Sequence, residues 1–309
     1  MLIVVYHEIG LYYSSDLTNY FSILGLGLFT LGSGYRFHMS YSERKPENTV
    51  LKYSIKRFKR LYKPYIGYSL LVLPFLYITW VLVGYSDRSA LLVSNITSPQ
   101  SWILFLIGDN FIAGQLWYLV LLLLVNILIA WIAYNYHERL LPWLCLPMFL
   151  IAYLITNFGT QYLGLNGFLF DFVLRIPIYS IVFILGILLA RSNQDHDSPS
   201  VSYWIGFLTI AFVILGQNSQ FILPILAFII LCLMRNVVLL NRENFLSKNS
   251  FNIYLFHMPL LLGGVSILFV DKLGLNNPIG YGMAIAVTIF LCPIVYGFTK
   301  RLRLNRLFE

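Results

Sequence analysis

The segment KRFKRLYKPY, residues 56–65, leads directly into the apolar run IGYSLLVLPFLYITWVLVG of residues 66–84. A run of this length can cross ~30 Å of hydrocarbon as one helix, and the cations that precede it then face one side of the membrane. Arg57 and Arg60 lie three residues apart, so on a helix they share a face. Two interpretations stay open: the cations are a topology signal that attracts anionic lipid, or they bind an anionic ligand.

The composition indicates a polytopic membrane protein. Of the 309 residues, 59% are hydrophobic and 11% are charged, whereas soluble domains average about 45–50% apolar and 25% charged residues. The net charge of +8 does not point to nucleic acid, because the cations lie beside apolar runs and no basic–aromatic binding module is present. Cys145, Cys232 and Cys292 lack CxxC spacing, so neither disulfides nor a metal site is expected.

Apolar windows predict an all-α integral membrane protein, a bundle of about ten transmembrane helices. Because the predicted loops are short, the bundle forms a single domain over residues 1–309. The predicted spans are approximately 1–13, 20–38, 64–84, 116–136, 140–156, 169–190, 202–216, 220–240, 251–270 and 279–299.

The distribution of cations predicts the orientation of this bundle. If the basic loop 39–63 is cytoplasmic, all but three of the 21 Lys and Arg residues fall on the cytoplasmic side; the exceptions are Arg88, Lys272 and, within a span, Arg175. Both termini are then cytoplasmic, and the protein is expected in the plasma or inner membrane, in contact with its lipid. The long external loop 85–115 contains a short apolar patch, residues 102–107, that we expect to be interfacial or re-entrant.

Ionisable residues inside spans cost about 2.5–3.5 kcal/mol each and usually have a task. His7 and Glu8 in the first predicted span are such a pair. A histidine can act as base and acid near neutral pH, and the neighbouring carboxylate can orient it. The alternative is a structural histidine that bonds a nearby carbonyl. Arg175 has Asp171 one turn away, and we expect those two to form a structural ion pair.

Three further segments combine small, aromatic and polar residues at span ends. Residues 31–36, LGSGYR, contain a small-residue motif typical of close helix packing, or alternatively of backbone exposed to a ligand. Residues 115–118, QLWY, open the fourth span, where aromatic residues are often only interfacial anchors. In the ninth span, His257 precedes Pro259, which frees a backbone carbonyl that polar groups must satisfy.

Taken in chain order, these pieces resemble the membrane acyltransferase 3 family, ten-span O-acyltransferases that modify sugars of cell-surface glycans. Each piece is weak alone, but their order and spacing are fairly specific and cover essentially the whole chain. The matching segments are Tyr6-His7, Gly32-Ser33-Gly34-Tyr35, Arg57-x-x-Arg60-Leu-Tyr-x-Pro64-Tyr65, Leu116-Trp117-Tyr118 and Tyr254-Leu-Phe-His257-Met-Pro259.

The resemblance implies acyl transfer from a coenzyme A thioester, such as acetyl-CoA, to a hydroxyl of a glycan or lipid-linked glycan. His7 would be the catalytic residue, as base or as acyl carrier, with Glu8 orienting it. The donor's phosphates would meet the guanidinium forks of Arg57 and Arg60, assisted by Tyr62 and Lys63. Residues expected to bind the acceptor are Ser33, Gly34, Tyr35, Trp117, Tyr118, Tyr254 and His257.

The chain departs from the family pattern at its beginning. Family members usually carry a cation eleven residues before this histidine, whereas only six residues precede His7. A helix of about 13 residues is ~20 Å long and cannot cross ~30 Å of hydrocarbon. We therefore expect either that the N-terminus is truncated or that the first span is shortened.

Two other functions fit a polytopic membrane protein. A glycan exporter or flippase would need charges along several helices, whereas the charges here gather at one face. A non-enzymatic partner of a polysaccharide synthesis complex would not need His7, so substitution there separates it from an enzyme.

Overall fold

The computed structural model describes residues 4, 7, 16–44, 49–84, 86–136, 140–162, 167–194, 245–275 and 277–301. Within these ranges the chain is helical and contains no strand, as predicted for an all-α membrane protein. The helices are α1 Asp16–Arg44, α2 Val50–Val83, α3 Ser86–Thr97, α4 Pro99–Ile107, α5 Trp117–Asn135, α6 Cys145–Tyr162, α7 Gly167–Gln194, α8 Phe245–Phe256, α9 Leu262–Ser266 and α10 Pro278–Arg301.

Five of the described helical segments are long and apolar enough to cross a membrane: Val50–Leu82, Gly114–Asn135, Pro142–Gly159, Gly167–Arg191 and Pro278–Arg301. They coincide with predicted spans three to six and ten. Large apolar side chains stay exposed on them, for example Phe290 (62%), Ile294 (64%) and Phe298 (60%) of α10. Apolar surface of this kind suits lipid and not water.

The remaining predicted spans have different outcomes. Predicted span 20–38 lies in α1, which is a helix but is not among the five apolar segments. Predicted span 251–270 is interrupted after α8, where Met258 leaves the helical conformation. Predicted spans 202–216 and 220–240 lie outside the described residues, as does span 1–13 except for Val4 and His7, which are helical.

The two long loops predicted at 39–63 and 85–115 are largely helical, which corrects that prediction. Helix α1 continues to Arg44 and α2 begins at Val50, so residues 56–63 form turns of a helix and not part of a loop. The physical reason is that Lys and Arg are good helix formers, whereas hydropathy detects only the part of a helix that is apolar.

The predicted external loop 85–115 contains α3 and α4, which meet at an angle of 88°. Ser98 caps α4 by accepting a hydrogen bond from the Ser101 amide at 3.4 Å, and Pro99 occupies the first turn. Gly108 ends α4 with φ 115°, a conformation that favours glycine. This bent pair is a broken span or a re-entrant segment, the kind of element predicted for residues 102–107.

The chain divides into two compact units. Unit 1 comprises residues 1–22, 58–120 and 243–309, and unit 2 comprises residues 23–57 and 121–242. In unit 1, α8 packs against α10, and the Tyr65 hydroxyl donates to the Phe105 carbonyl of α4. After α4, Asn110 orders the chain by donating to Ser69 Oγ at 2.7 Å and accepting from the amides of Ile112 and Ala113.

Unit 2 is built around α7, which packs against α6 and crosses α1 at glycines. A Cβ atom at Gly34 would clash with the Phe183 carbonyl, and one at Gly186 would clash with the Leu31 carbonyl. The two backbones therefore touch, as is usual where small residues line a membrane helix crossing. This contact is the packing interpretation of the LGSGYR segment.

Candidate functional site

His7 and His257, from opposite ends of the chain, meet in unit 1. Their ring centroids lie 5.2 Å apart with the planes inclined by 44°. The His257 side chain is completely buried. The structure thus brings together the predicted catalytic histidine and one of the predicted acceptor-binding residues; Glu8 lies outside the described residues.

The backbone beside His257 is broken at Met258, which has φ −121° and ψ 155°. The residue before a proline is disfavoured in the helical conformation, so Pro259 explains the break. The Met258 carbonyl accepts hydrogen bonds from the Tyr68 hydroxyl and from Gln115 Nε2, each at 2.6 Å. The prediction that Pro259 leaves a carbonyl for polar side chains is confirmed at Met258. The structure identifies Tyr68 and Gln115 as the partners of this carbonyl.

The His257 ring has a defined tautomer when it is neutral. Its Nδ1 lies 2.8 Å from the Tyr254 carbonyl oxygen and 3.0 Å from the Ile253 carbonyl oxygen. Carbonyl oxygens only accept, so the hydrogen-bond network assigns the proton to Nδ1. Nε2 then carries a lone pair, and it is buried with no hydrogen-bond partner among the residues that the structure describes.

An aromatic cluster formed by Tyr254, Tyr118 and Trp117 adjoins His257. Tyr254 lies 6.1 Å from His257 and 5.9 Å from Tyr118, measured between ring centroids, and its hydroxyl donates to the Gln115 carbonyl. Trp117 lies 6.0 Å from Tyr118. Four of the predicted acceptor-binding residues, Trp117, Tyr118, Tyr254 and His257, therefore belong to one cluster in unit 1. The buried Tyr118 and Tyr254 rings give this cluster an apolar wall, and the engaged hydroxyl of Tyr254 fixes the position of its ring.

Arg57 lies in unit 2 and is held by Tyr53. Its Nε donates to the Tyr53 hydroxyl at 2.8 Å, and Arg57 Cζ lies 5.0 Å from the Tyr53 ring centroid. The Tyr53 hydroxyl donates to Asn126 Oδ1 at 2.9 Å, and Asn126 Nδ2 donates to the Leu122 carbonyl at 2.7 Å. Sequence reasoning missed Tyr53 and Asn126, although Asn126 is the one strongly polar residue in the apolar run 119–133 and so carried a signal.

The other predicted donor-binding residues lie in unit 1. Tyr62 donates its hydroxyl to the Leu106 carbonyl of α4 at 2.9 Å and stacks on Phe58 with ring centroids 4.8 Å apart. Arg60 is exposed, and Lys63 is partly exposed. The cations of this helix are thus accessible, whereas the Tyr62 hydroxyl is engaged by α4.

The remaining predicted site residues Ser33, Gly34 and Tyr35 belong to unit 2. Ser33 donates its hydroxyl to the Phe29 carbonyl at 3.0 Å, and Gly34 packs on α7. A role for them in acceptor binding remains a prediction. Arg175 Nη2 lies 3.9 Å from Asp171 Oδ2, so the predicted ion pair is confirmed, and its partly exposed position suits a structural role.

Comparison with known families assigns nearly the whole chain to one of them. A family model described as an acyltransferase domain matches residues 1–297, which is nearly the whole chain. No curated protein and no solved structure matches the chain significantly. The extent of the family match and the apolar helices together show that the chain belongs to the acyltransferase 3 family and is a multi-pass membrane acyltransferase that transfers groups other than amino-acyl groups.

Proposed function

We propose that the protein transfers an acetyl group from a cytoplasmic coenzyme A thioester to a hydroxyl of a surface polysaccharide or related glycan. The observation that carries this proposal is the contact between the His7 and His257 rings, 5.2 Å apart within a buried aromatic cluster. An imidazole in such surroundings can accept a proton from a hydroxyl at neutral pH.

The reaction requires one proton to move from the acceptor to the leaving thiol. A His7 nitrogen takes the hydroxyl proton while the hydroxyl oxygen attacks the thioester carbonyl, the carbon–sulfur bond breaks, and the thiolate takes up the proton. His7 could also carry the acyl group as an acyl-imidazole, which the hydroxyl attacks after the thiol has left. Both routes produce one ester and one free thiol.

His257 is suited to hold the acceptor beside His7. Its Nδ1–H is used by two carbonyls of its own helix, so Nε2 can accept a hydrogen bond from an incoming hydroxyl. A buried acceptor without a partner costs roughly 1–3 kcal/mol, and an unsatisfied buried group of this kind is explained when a ligand supplies the donor. Trp117, Tyr118 and Tyr254 would supply apolar faces for the sugar ring.

The donor is expected at α2. Arg57 and Arg60 lie one turn apart on that helix, and guanidinium groups pair with phosphate oxygens in a planar fork. Tyr62 and Lys63 follow in the next turn. Because coenzyme A thioesters are made in the cytosol, the site at Arg57 would be open to the cytosolic side of the membrane, the side predicted for the start of α2 from the distribution of Lys and Arg.

Replacement of His7 tests the proposal directly. Purified His7→Ala protein in liposomes, supplied with labelled acetyl-CoA and a glycan acceptor, should lose acyl transfer about 100-fold or more, the size expected for a general base. His38→Ala is the control, because it removes another buried imidazole, from α1; it should retain most of the transfer activity. Full activity of His7→Ala would refute the mechanism.

A further inference from the structure

We infer that Tyr53 and Asn126 are positioning residues that orient Arg57 toward a phosphate group of the acyl donor. This inference rests on the proposed donor site at Arg57, and it assigns a task to two residues that the family resemblance did not single out. Three successive hydrogen bonds within unit 2 support it: Arg57 Nε donates to the Tyr53 hydroxyl, this hydroxyl donates to Asn126 Oδ1, and Asn126 Nδ2 donates to the Leu122 carbonyl.

The direction of each hydrogen bond in this chain follows from its chemistry. Asn126 Oδ1 can only accept, so the Tyr53 hydroxyl must use its single proton to donate this hydrogen bond. The Tyr53 oxygen is left with lone pairs, and the Arg57 Nε–H donates to one of them. Asn126 Oδ1 is in turn oriented by the hydrogen bond that the same amide donates to Leu122. Each group in this series therefore donates a hydrogen bond to the next one, from Arg57 to Leu122.

The contacts of Arg57 leave the useful part of its side chain available. The two described contacts are the hydrogen bond from Nε to the Tyr53 hydroxyl and the approach of Cζ to within 5.0 Å of the Tyr53 ring centroid. Neither uses the two terminal amino groups, which together form a fork for a phosphate. A guanidinium held in this way loses less conformational entropy when a ligand binds, which is the advantage of preorganisation. A lysine would have to use the same ammonium group for both the Tyr53 hydroxyl and the phosphate, because it has no separate Nε.

The position of Asn126 favours a functional reason for this series of hydrogen bonds. Asn126 lies at the centre of α5, about 13 Å from each end at ~1.5 Å per residue, and it is buried. An apolar residue there would pack without any need for polar partners, whereas a buried polar network is stable only when every member is satisfied. Here the Asn126 amide donates through Nδ2 and accepts through Oδ1, so both of its polar ends are satisfied. Its Oδ1 orients the Tyr53 hydroxyl, which in turn holds Arg57.

Tyr53→Phe tests the inference because it removes only the hydroxyl. The KM for acetyl-CoA should rise about tenfold, the effect of losing one hydrogen bond to a charged group, while kcat stays near the wild-type value. The KM for acetyl-pantetheine, which lacks the nucleotide and its phosphates, should not change. Asn126→Ala should raise the KM for acetyl-CoA in the same direction, and the double variant should be no worse than Tyr53→Phe alone.

Tyr41→Phe is the matched control. Tyr41 is also a buried tyrosine of unit 2, and it donates its hydroxyl to α5, at the Ala133 carbonyl with a distance of 3.0 Å. Its removal should lower stability about as much as Tyr53→Phe and leave the KM for both donors unchanged. An equal rise in the KM for acetyl-CoA in Tyr41→Phe would show a general packing effect and overturn the inference.

Arg57→Lys separates failure of the inference from failure of the proposed donor site. If Arg57→Lys weakens acetyl-CoA binding and Tyr53→Phe does not, the donor site stands and the positioning role is wrong. If neither variant changes the KM for acetyl-CoA, both the donor site and the positioning role are wrong. If both Tyr53→Phe and Asn126→Ala fail to reach the membrane, the pair is required for folding, and the inference is likewise overturned.

Discussion

At the scale of single residues, the most informative atom is Nε2 of His257. The other ring nitrogen is tied to two carbonyls of the same helix, so the ring cannot rotate freely and Nε2 keeps one position. The same ring nitrogen also satisfies the carbonyls of Ile253 and Tyr254 near the end of α8. His257 therefore has a structural contribution through Nδ1 and a separate proposed contribution through Nε2.

Two substitutions separate these contributions of His257. Asparagine can replace Nδ1 as a donor to the backbone but has no atom at the place of Nε2, whereas glutamine reaches that place with an oxygen or a nitrogen. We expect His257→Asn to raise the KM for the glycan acceptor about tenfold, the effect of losing one hydrogen bond, while the KM for acetyl-CoA is unchanged. His257→Gln should recover a near-normal KM for the glycan acceptor. A KM for the acceptor within threefold of wild type in His257→Asn would show that only the structural contribution exists.

At the scale of helices, α2 and α1 show two different ways in which a sequence pattern is used. In α2 the cations of residues 56–63 extend an apolar span by several turns, and one of them is anchored to the side of α5. In α1 the glycines serve packing, because the carbonyl of Phe183 occupies the space where a Gly34 side chain would lie. Glycines two residues apart can have unequal importance: among the described residues, Gly34 contacts the backbone of α7, whereas Gly32 has no neighbour within 4 Å of its Cβ position.

Gly32 and Gly34 provide a matched pair of substitutions. Gly34→Ala should destabilise the protein by about 1–3 kcal/mol because the added methyl group would force α1 away from α7. Gly32→Ala should be tolerated, because no atom of the described residues lies within 4 Å of its Cβ position and alanine favours helix. Thermal unfolding in detergent measures both changes. If Gly34→Ala unfolds at the wild-type temperature but loses acyl transfer, Gly34 contacts the acceptor and packing is not its main role.

At the scale of the whole molecule, the orientation in the membrane determines whether the proposed donor site can meet its donor. The Lys and Arg distribution predicts that residues 42 and 198 are cytoplasmic and residues 86 and 277 are external. Single cysteines at these positions, after replacement of Cys145, Cys232 and Cys292, can be tested in intact cells with a membrane-impermeant thiol reagent. Only the cysteines at 86 and 277 should be labelled. Labelling at position 42 would show that the bundle has the opposite orientation and that Arg57 and Arg60 do not face the cytosol.

The sequence by itself determined the class of the protein and most of its described helices. A membrane-spanning helix satisfies its backbone hydrogen bonds within itself, so length and apolarity along one segment are enough to predict it. Local chemistry was equally readable: the conformation of Met258 follows from Pro259, and the Arg175–Asp171 pair follows from helical spacing. The family, too, was recognisable from short segments in chain order.

Only the tertiary structure decided which side chains meet. Three contacts depend on how the helices are rotated and at what depth they lie. They are the contact of His7 with His257, the hydrogen bonds of Tyr68 and Gln115 to the Met258 carbonyl, and the link from Arg57 through Tyr53 to Asn126. A helix such as α5, apolar on nearly all of its faces, has no hydrophobic stripe to mark which side contacts its neighbours. Contacts between distant segments therefore had to come from the packed structure, because the local pattern of each helix does not contain them.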